Sequence, residues 1–137
     1  MITTTPEQTK QIAADLAKTL QGGELILLEG DLGAGKTTFV QGLAAVLGVT
    51  ESVRSPTFTI MQLYKIALGT LVHVDFYRLL DENIHDLGLD EYVGNPSAIV
   101  VAEWPHRDLP FPSSGKIIRV ALKRLSEQER EIKIGSL

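Results

Sequence analysis

Residues 25–48 read LILLEGDLGAGKTTFVQGLAAVLG. The first four, Leu25 to Leu28, form a short apolar run, the kind a strand buried on both faces of a parallel sheet requires. The run passes directly into Gly30-Asp31-Leu32-Gly33-Ala34-Gly35-Lys36-Thr37-Thr38, where Gly30, Gly35, Lys36 and Thr37 satisfy GxxxxGK followed by Ser or Thr. Phe39, Val40, Leu43, Ala44 and Leu47 then recur at helical spacing, and Gly48 supplies a stop. Strand, glycine-rich turn and helix thus occur in the order a phosphate-binding loop needs. The glycines let the backbone wrap an anion with several N–H groups pointing inward, and the helix N-terminus adds a favourable dipole. Lys36 reaches the outer phosphates, and the Thr37 hydroxyl is placed to ligate Mg²⁺. A structural glycine turn is the plain alternative, and it explains neither the lysine nor the threonine.

Upstream, Thr5-Pro6-Glu7-Gln8 predicts a helix start, with Thr5 as cap, Pro6 at the first helical position and Gln8 completing a capping box. Ile12, Ala13, Leu16 and Leu20 continue it at helical spacing, up to Gly22-Gly23. Downstream, two β-like segments between Phe58 and Phe76 flank Ala67-Leu68-Gly69-Thr70, which predicts a hairpin. Residues 79–93 are acidic and loosely helical. Asn95-Pro96 breaks the chain before Ala98-Ile99-Val100-Val101-Ala102, a second wholly apolar strand. Residues 106–115 read as a surface loop, and residues 117–122 and 132–134 as strands joined by a polar turn around Ser126.

The chain has 137 residues, 44% of them hydrophobic and 22% charged, the profile of one compact domain. It contains no cysteine, which excludes a disulfide scaffold, a thiolate metal site and thiol catalysis. Thirteen Lys and Arg against seventeen Asp and Glu give a formal charge of -4, whereas a nucleic-acid binder carries a basic footprint. Direct, tight RNA or DNA binding by this chain alone is disfavoured. The N-terminus lacks a basic segment followed by an apolar stretch, and no apolar run approaches a membrane span, so a cytoplasmic protein is expected.

A phosphate-binding loop needs an acid at the end of a neighbouring strand. Glu103 follows the apolar run and precedes Trp104-Pro105, so it should emerge at the carboxyl edge of the sheet. In His73-Val74-Asp75-Phe76-Tyr77-Arg78 alternation puts His73, Asp75 and Tyr77 on one strand face. By itself that pattern reads as a solvated hairpin face, with use in an active site as the alternative; Asp75 is then a second acid near Mg²⁺ or the attacking water. No second histidine lies at ligand spacing to His73, which argues against a histidine metal site. Ser55-Pro56-Thr57-Phe58 stands where nucleotide hydrolases keep a γ-phosphate-sensing loop, with Thr57 as its contact; a proline turn before a strand is the simpler account.

Together, GDLGAGKTT at residues 30–38, SPTF at 55–58, HVDFYRL at 73–79, LGLDEY at 87–92 and EWP at 103–105 resemble the TsaE (YjeE) family, a small P-loop ATPase of bacterial tRNA threonylcarbamoyladenosine biosynthesis. The resemblance covers essentially the whole chain. It implies ATP binding with Mg²⁺ and slow hydrolysis unless partners join, the partners being the TsaB and TsaD subunits of the transferase that modifies adenosine 37, with tRNA reached through them. Carried over by position, residues 33–37 hold the phosphates, flanked by Asp31, Leu32 and Thr38. Thr37 and Glu103 hold Mg²⁺, Lys36, Asp75 and Glu103 are the catalytic set, and Ser55 to Phe58 is the switch-like loop. The segment around Gln8 and the late hairpin near Arg130 flank the adenine.

The fold expected is α/β: a three-layer P-loop domain with a mainly parallel central sheet, an inserted antiparallel hairpin and helices on both faces, the strand at 25–28 lying beside that at 98–102. A small-molecule kinase with the same loop would need lid arginines, yet residues 80–93 carry five acids and no arginine. A GTPase would need an Asn-Lys-x-Asp segment, which is absent. A nucleotide-dependent binding module with incidental hydrolysis is the rival of a different class.

Overall fold

A computed structural model describes residues 1–31, 33–56, 60–76, 87–104, 110 and 116–136. In it a seven-stranded sheet runs in the order β1-β7-β6-β2-β5-β4-β3. The strands are β1 (Ile2–Thr3), β2 (Leu25–Glu29), β3 (Met61–Ile66), β4 (Gly69–Asp75), β5 (Ala98–Glu103), β6 (Ile117–Arg124) and β7 (Arg130–Ser136). The four central strands are parallel, β2 lying between β5 and β6 and β5 between β2 and β4. Antiparallel pairing is confined to the flanks, where β3 meets β4 in the expected hairpin and β7 meets β6 and β1. Sequence reading therefore has the centre right: Leu25 pairs with Val100 and Leu28 with Glu103.

Two α-helices pack on the sheet, α1 (Pro6–Ala17) and α2 (Lys36–Leu47). Thr5 caps α1, accepting a hydrogen bond from the Gln8 N–H at 3.1 Å. The Gln8 side chain reaches one residue further back than a standard capping box and accepts from the Thr4 N–H at 2.7 Å. Where α2 crosses α1, a side-chain carbon on Gly42 would lie 2.5 Å from the Lys10 carbonyl oxygen and 2.9 Å from Ala13 Cβ. Only a glycine permits that approach.

Alternation along the strands divides the core in two. Ile26, Leu28, Leu71, Ile99, Val101, Val120 and Ile132 face α1 and α2, joined by Ala13, Phe39, Val40 and Leu43 from the helices. Leu25, Leu27, Val72, Val74, Val100 and Ala102 point to the opposite face, covered there by Leu89 with Leu87, Tyr92 and Val93. That cover includes one turn of 3₁₀ helix, Leu89–Glu91. Among the described residues both α-helices lie on the first face. Their apolar positions match the odd or even set of strand residues on that side alone. The helical reading of residues 79–86 lies outside the described residues, as does the loop at 106–115 except Pro110. No helix among the described residues is long and apolar enough to cross a membrane.

Candidate functional site

The parallel centre delivers β2, β4 and β5 to the same sheet edge, and α2 starts there. Gly35, the residue that caps α2, has a φ of 100°, which a side chain would strain, and it offers no side-chain cap. The first N–H groups of α2 therefore remain as donors at its positive end. A cavity of about 310 Å³ opens at this point, lined by the main glycine-loop residues, Ser55, Asp75, Glu103, Trp104 and Arg130.

Lys36 enters this cavity almost buried. Its ammonium donates to the Gly30 carbonyl oxygen at 2.6 Å and lies 3.8 Å from the centroid of the Trp104 ring. Burial lowers the Lys36 pKa from the ordinary lysine value, and the negative charges of Glu103, Asp75 and Asp31 oppose that shift. Trp104 takes a φ of 51°, uncommon for a bulky residue, and this backbone turn swings its ring over the lysine as the chain leaves β5.

Asp75 and Glu103 are register partners at the ends of β4 and β5. Odd-numbered β4 and β5 residues point toward α2, so His73, Asp75 and Glu103 share the face that carries Lys36. All three are buried. This corrects the solvated-face reading of His73 and Asp75. β4 is an inner strand, hydrogen-bonded on one side by β5 and on the other by β3, and its face is covered. His73 Nε2 and Glu103 Oε2 form a hydrogen bond in which the ring N–H donates to the carboxylate, while His73 Nδ1 has no partner among the described residues. One Glu103 oxygen is thus fixed by the histidine behind it.

Thr37 and Thr38 stand on the first turn of α2 and line the cavity, as do Gly33 and Gly35. Ala34 is different: its side chain is in the core and its N–H donates to the Asp31 carbonyl at 3.0 Å. Asp31 is exposed and acts on Lys36 by charge alone. Leu32 and Thr57 lie outside the described residues. Around Thr57 the chain is tied to the site on both sides. Ser55 lines the cavity, and Ile60, at a φ of 68°, donates its N–H to the Pro56 carbonyl and accepts from the Asp75 N–H.

A second cavity, about 450 Å³, adjoins the first through Gly35, Thr38 and Arg130. Its other walls are Thr4, Thr5, Pro6, Glu7 and Thr9 at the start of α1, and Glu127 and Gln128 of the β6–β7 turn. The late hairpin and the N-terminal segment do meet beside the glycine loop. Gln8 is not among the lining residues, because its amide is occupied by Thr4. The His73–Glu103 pair, the Trp104–Lys36 contact and the placement of Arg130 between two cavities had no linear signal; each follows from strand register or from a turn closing in space.

Thr37, Asp75 and Glu103 line one cavity with the Lys36 ammonium and the uncapped start of α2. No group of three or more acidic, His or Cys side chains forms a protein-only metal cage among the described residues. A Mg²⁺ ion that keeps its waters and shares a phosphate needs one or two carboxylates and no cage, so this donor set fits it.

Comparison with known proteins agrees with the motifs. The family model described as threonylcarbamoyl adenosine biosynthesis protein TsaE matches residues 3–132. A Bacillus subtilis protein named tRNA threonylcarbamoyladenosine biosynthesis protein TsaE is 44% identical over 133 residues, covering 95% of this chain and 80% of its own. A protein of the same name from Aquifex aeolicus is 39% identical over 130 residues, covering 93% and 89%. Among solved structures, Bacillus subtilis YdiB superposes with a TM-score of 0.79 at 38% identity, covering 99% of this chain and 83% of that one.

Proposed function

The chain belongs to the TsaE family of threonylcarbamoyl adenosine biosynthesis proteins, and on that basis we propose that it binds ATP with Mg²⁺ and hydrolyses it slowly in support of adenosine 37 threonylcarbamoylation in tRNA, as accessory ATPase to the TsaB–TsaD transferase in the cytoplasm. The observation that carries this reading is the convergence of Lys36, Asp75 and Glu103 on the uncapped start of α2, in a cavity that adjoins a second one large enough for a nucleoside.

In this reading the backbone N–H groups of Gly33, Gly35, Lys36, Thr37 and Thr38 take the phosphates, and the Lys36 ammonium moves from the Gly30 carbonyl onto phosphate oxygens. Thr37 and Glu103 are the residues to hold Mg²⁺, which when bound neutralises charge on the outer phosphates. Asp75, beside Glu103 on the next strand, is the second carboxylate able to orient water or accept its proton. His73 fixes the Glu103 carboxylate from behind, and Trp104 shields the lysine from solvent. The cavity bounded by Thr4–Glu7 and the β6–β7 turn takes the nucleoside. A chain of net charge -4 fits a division of labour in which partner subunits hold the tRNA.

Phosphate release measured for the chain alone and with TsaB and TsaD added tests this role, alongside tRNA modification by the same mixture. Slow hydrolysis alone, acceleration with partners, and loss of both activities in Lys36→Ala and Glu103→Ala are the expected results. Unstimulated hydrolysis, with modification proceeding normally in Lys36→Ala, would leave a binding module whose hydrolysis is incidental.

A further inference from the structure

We infer that the β6–β7 turn supplies an arginine clamp, Arg130 supported by Arg124, that grips the inner phosphate of the nucleotide at the junction of the two cavities. The inference rests on ATP occupying those cavities, as proposed above. Arg124 and Arg130 are direct cross-strand partners at the end of the β6–β7 ladder. Like charges placed opposite each other destabilise a strand pair, and neither guanidinium forms a salt bridge among the described residues. Glu127 and Glu129 are close in sequence, yet Arg130 meets them only through their backbone carbonyls.

Both side chains bend over the connecting turn. Arg124 Nε donates to the Ser126 carbonyl at 3.2 Å, and Arg130 Nη1 to the same carbonyl at 2.9 Å. The three carbonyl contacts of Arg130 all use Nη1, which holds the planar group in place and leaves Nε and Nη2 unbonded by described residues. Arg130 is half-buried and, with Gly35 and Thr38, is common to the walls of both cavities. Arg124 stands at the glycine loop: a side-chain carbon on Gly33 would lie 3.8 Å from its Nη1. Arg130 therefore stands where a nucleoside in one cavity must connect to phosphates in the other, and Arg124, beside Gly33, adds a second guanidinium that no carboxylate of the described residues neutralises. A phosphate there relieves their repulsion and satisfies the fork. The resemblance puts Arg130 beside the adenine; its position at the junction assigns it to the phosphate instead.

Titration calorimetry of the full chain with ATP, ADP and adenosine in Mg²⁺ tests this. Arg130→Ala should weaken ATP and ADP alike by about ten-fold or more and leave adenosine unchanged, since the inner phosphate is common to both nucleotides. Arg124→Ala should weaken both nucleotides less, and Arg130→Lys, which keeps charge without the fork, should fall between wild type and Arg130→Ala. Thermal melting of each variant verifies folding, and Arg130→Lys serves if Arg130→Ala does not fold. Equal weakening of adenosine would overturn the inference by assigning Arg130 to the base. Wild-type affinities in Arg130→Ala and Arg124→Ala, with ATP lost in Lys36→Ala, would overturn it while the ATP reading stood. Unchanged ATP binding in Lys36→Ala would instead sink the ATP reading and this inference with it.

Discussion

Glu103 shows how much of the site can be read from a single residue and where such reading stops. Its place after five apolar residues was enough to put it at the carboxyl edge of a buried strand, because a strand buried on both faces ends where polarity returns. Lys36 and Thr37 were equally legible from the loop pattern. His73 was not. Whether a histidine on an alternating strand faces water or core depends on which strands flank it, and β4 became an inner strand only through its long-range pairing with β5. The histidine is a positioning residue for Glu103, so His73→Leu should lower kcat by about ten-fold or more and raise the Mg²⁺ concentration needed for half-maximal activity. His73→Gln, which keeps an N–H donor, should recover part of both; a variant with lowered melting temperature and unchanged Mg²⁺ dependence would reduce His73 to packing. Lys36 carries a pH signature. Its pKa is below the ordinary 10.5 in the folded chain, so between those two values the unfolded chain binds more protons and stability gains a rising contribution with pH. Urea unfolding of wild type and Lys36→Met at alkaline pH should show that rise in wild type and its loss in the variant.

At the scale of elements, α2 opens on the cavity at its first turn and lies close against α1 further along, and Gly42 makes that close approach possible. Gly42→Ala must push α2 away from the α1 backbone and should cost about 1–3 kcal/mol of stability by chemical denaturation. Because the glycine loop leads into α2, the same variant should also weaken nucleotide binding; full retention of both stability and binding would show that the helices have room to spare. The hairpin and the parallel centre are legible from apolar runs and turn residues. On the second face the described part of residues 79–93 is one 3₁₀ turn that inserts Leu89, a length at which helical periodicity carries little information.

On the scale of the whole molecule, β4 and β5 bring two carboxylates, Asp75 and Glu103, to one end, α2 brings Lys36 there, and the β6–β7 hairpin adds Arg130. That arrangement leaves an acidic chain with its Lys36 and Arg130 cations gathered beside two carboxylates at one end, a mixed site rather than the basic stripe that follows a nucleic-acid backbone. The central claim is that this end takes Mg²⁺-bound ATP through Lys36. Titrating wild type and Lys36→Ala with a fluorescent ATP analogue in Mg²⁺ is its most direct test: saturable binding by wild type and at least about ten-fold weaker binding by Lys36→Ala is the predicted result, and equal binding by the two proteins would contradict it.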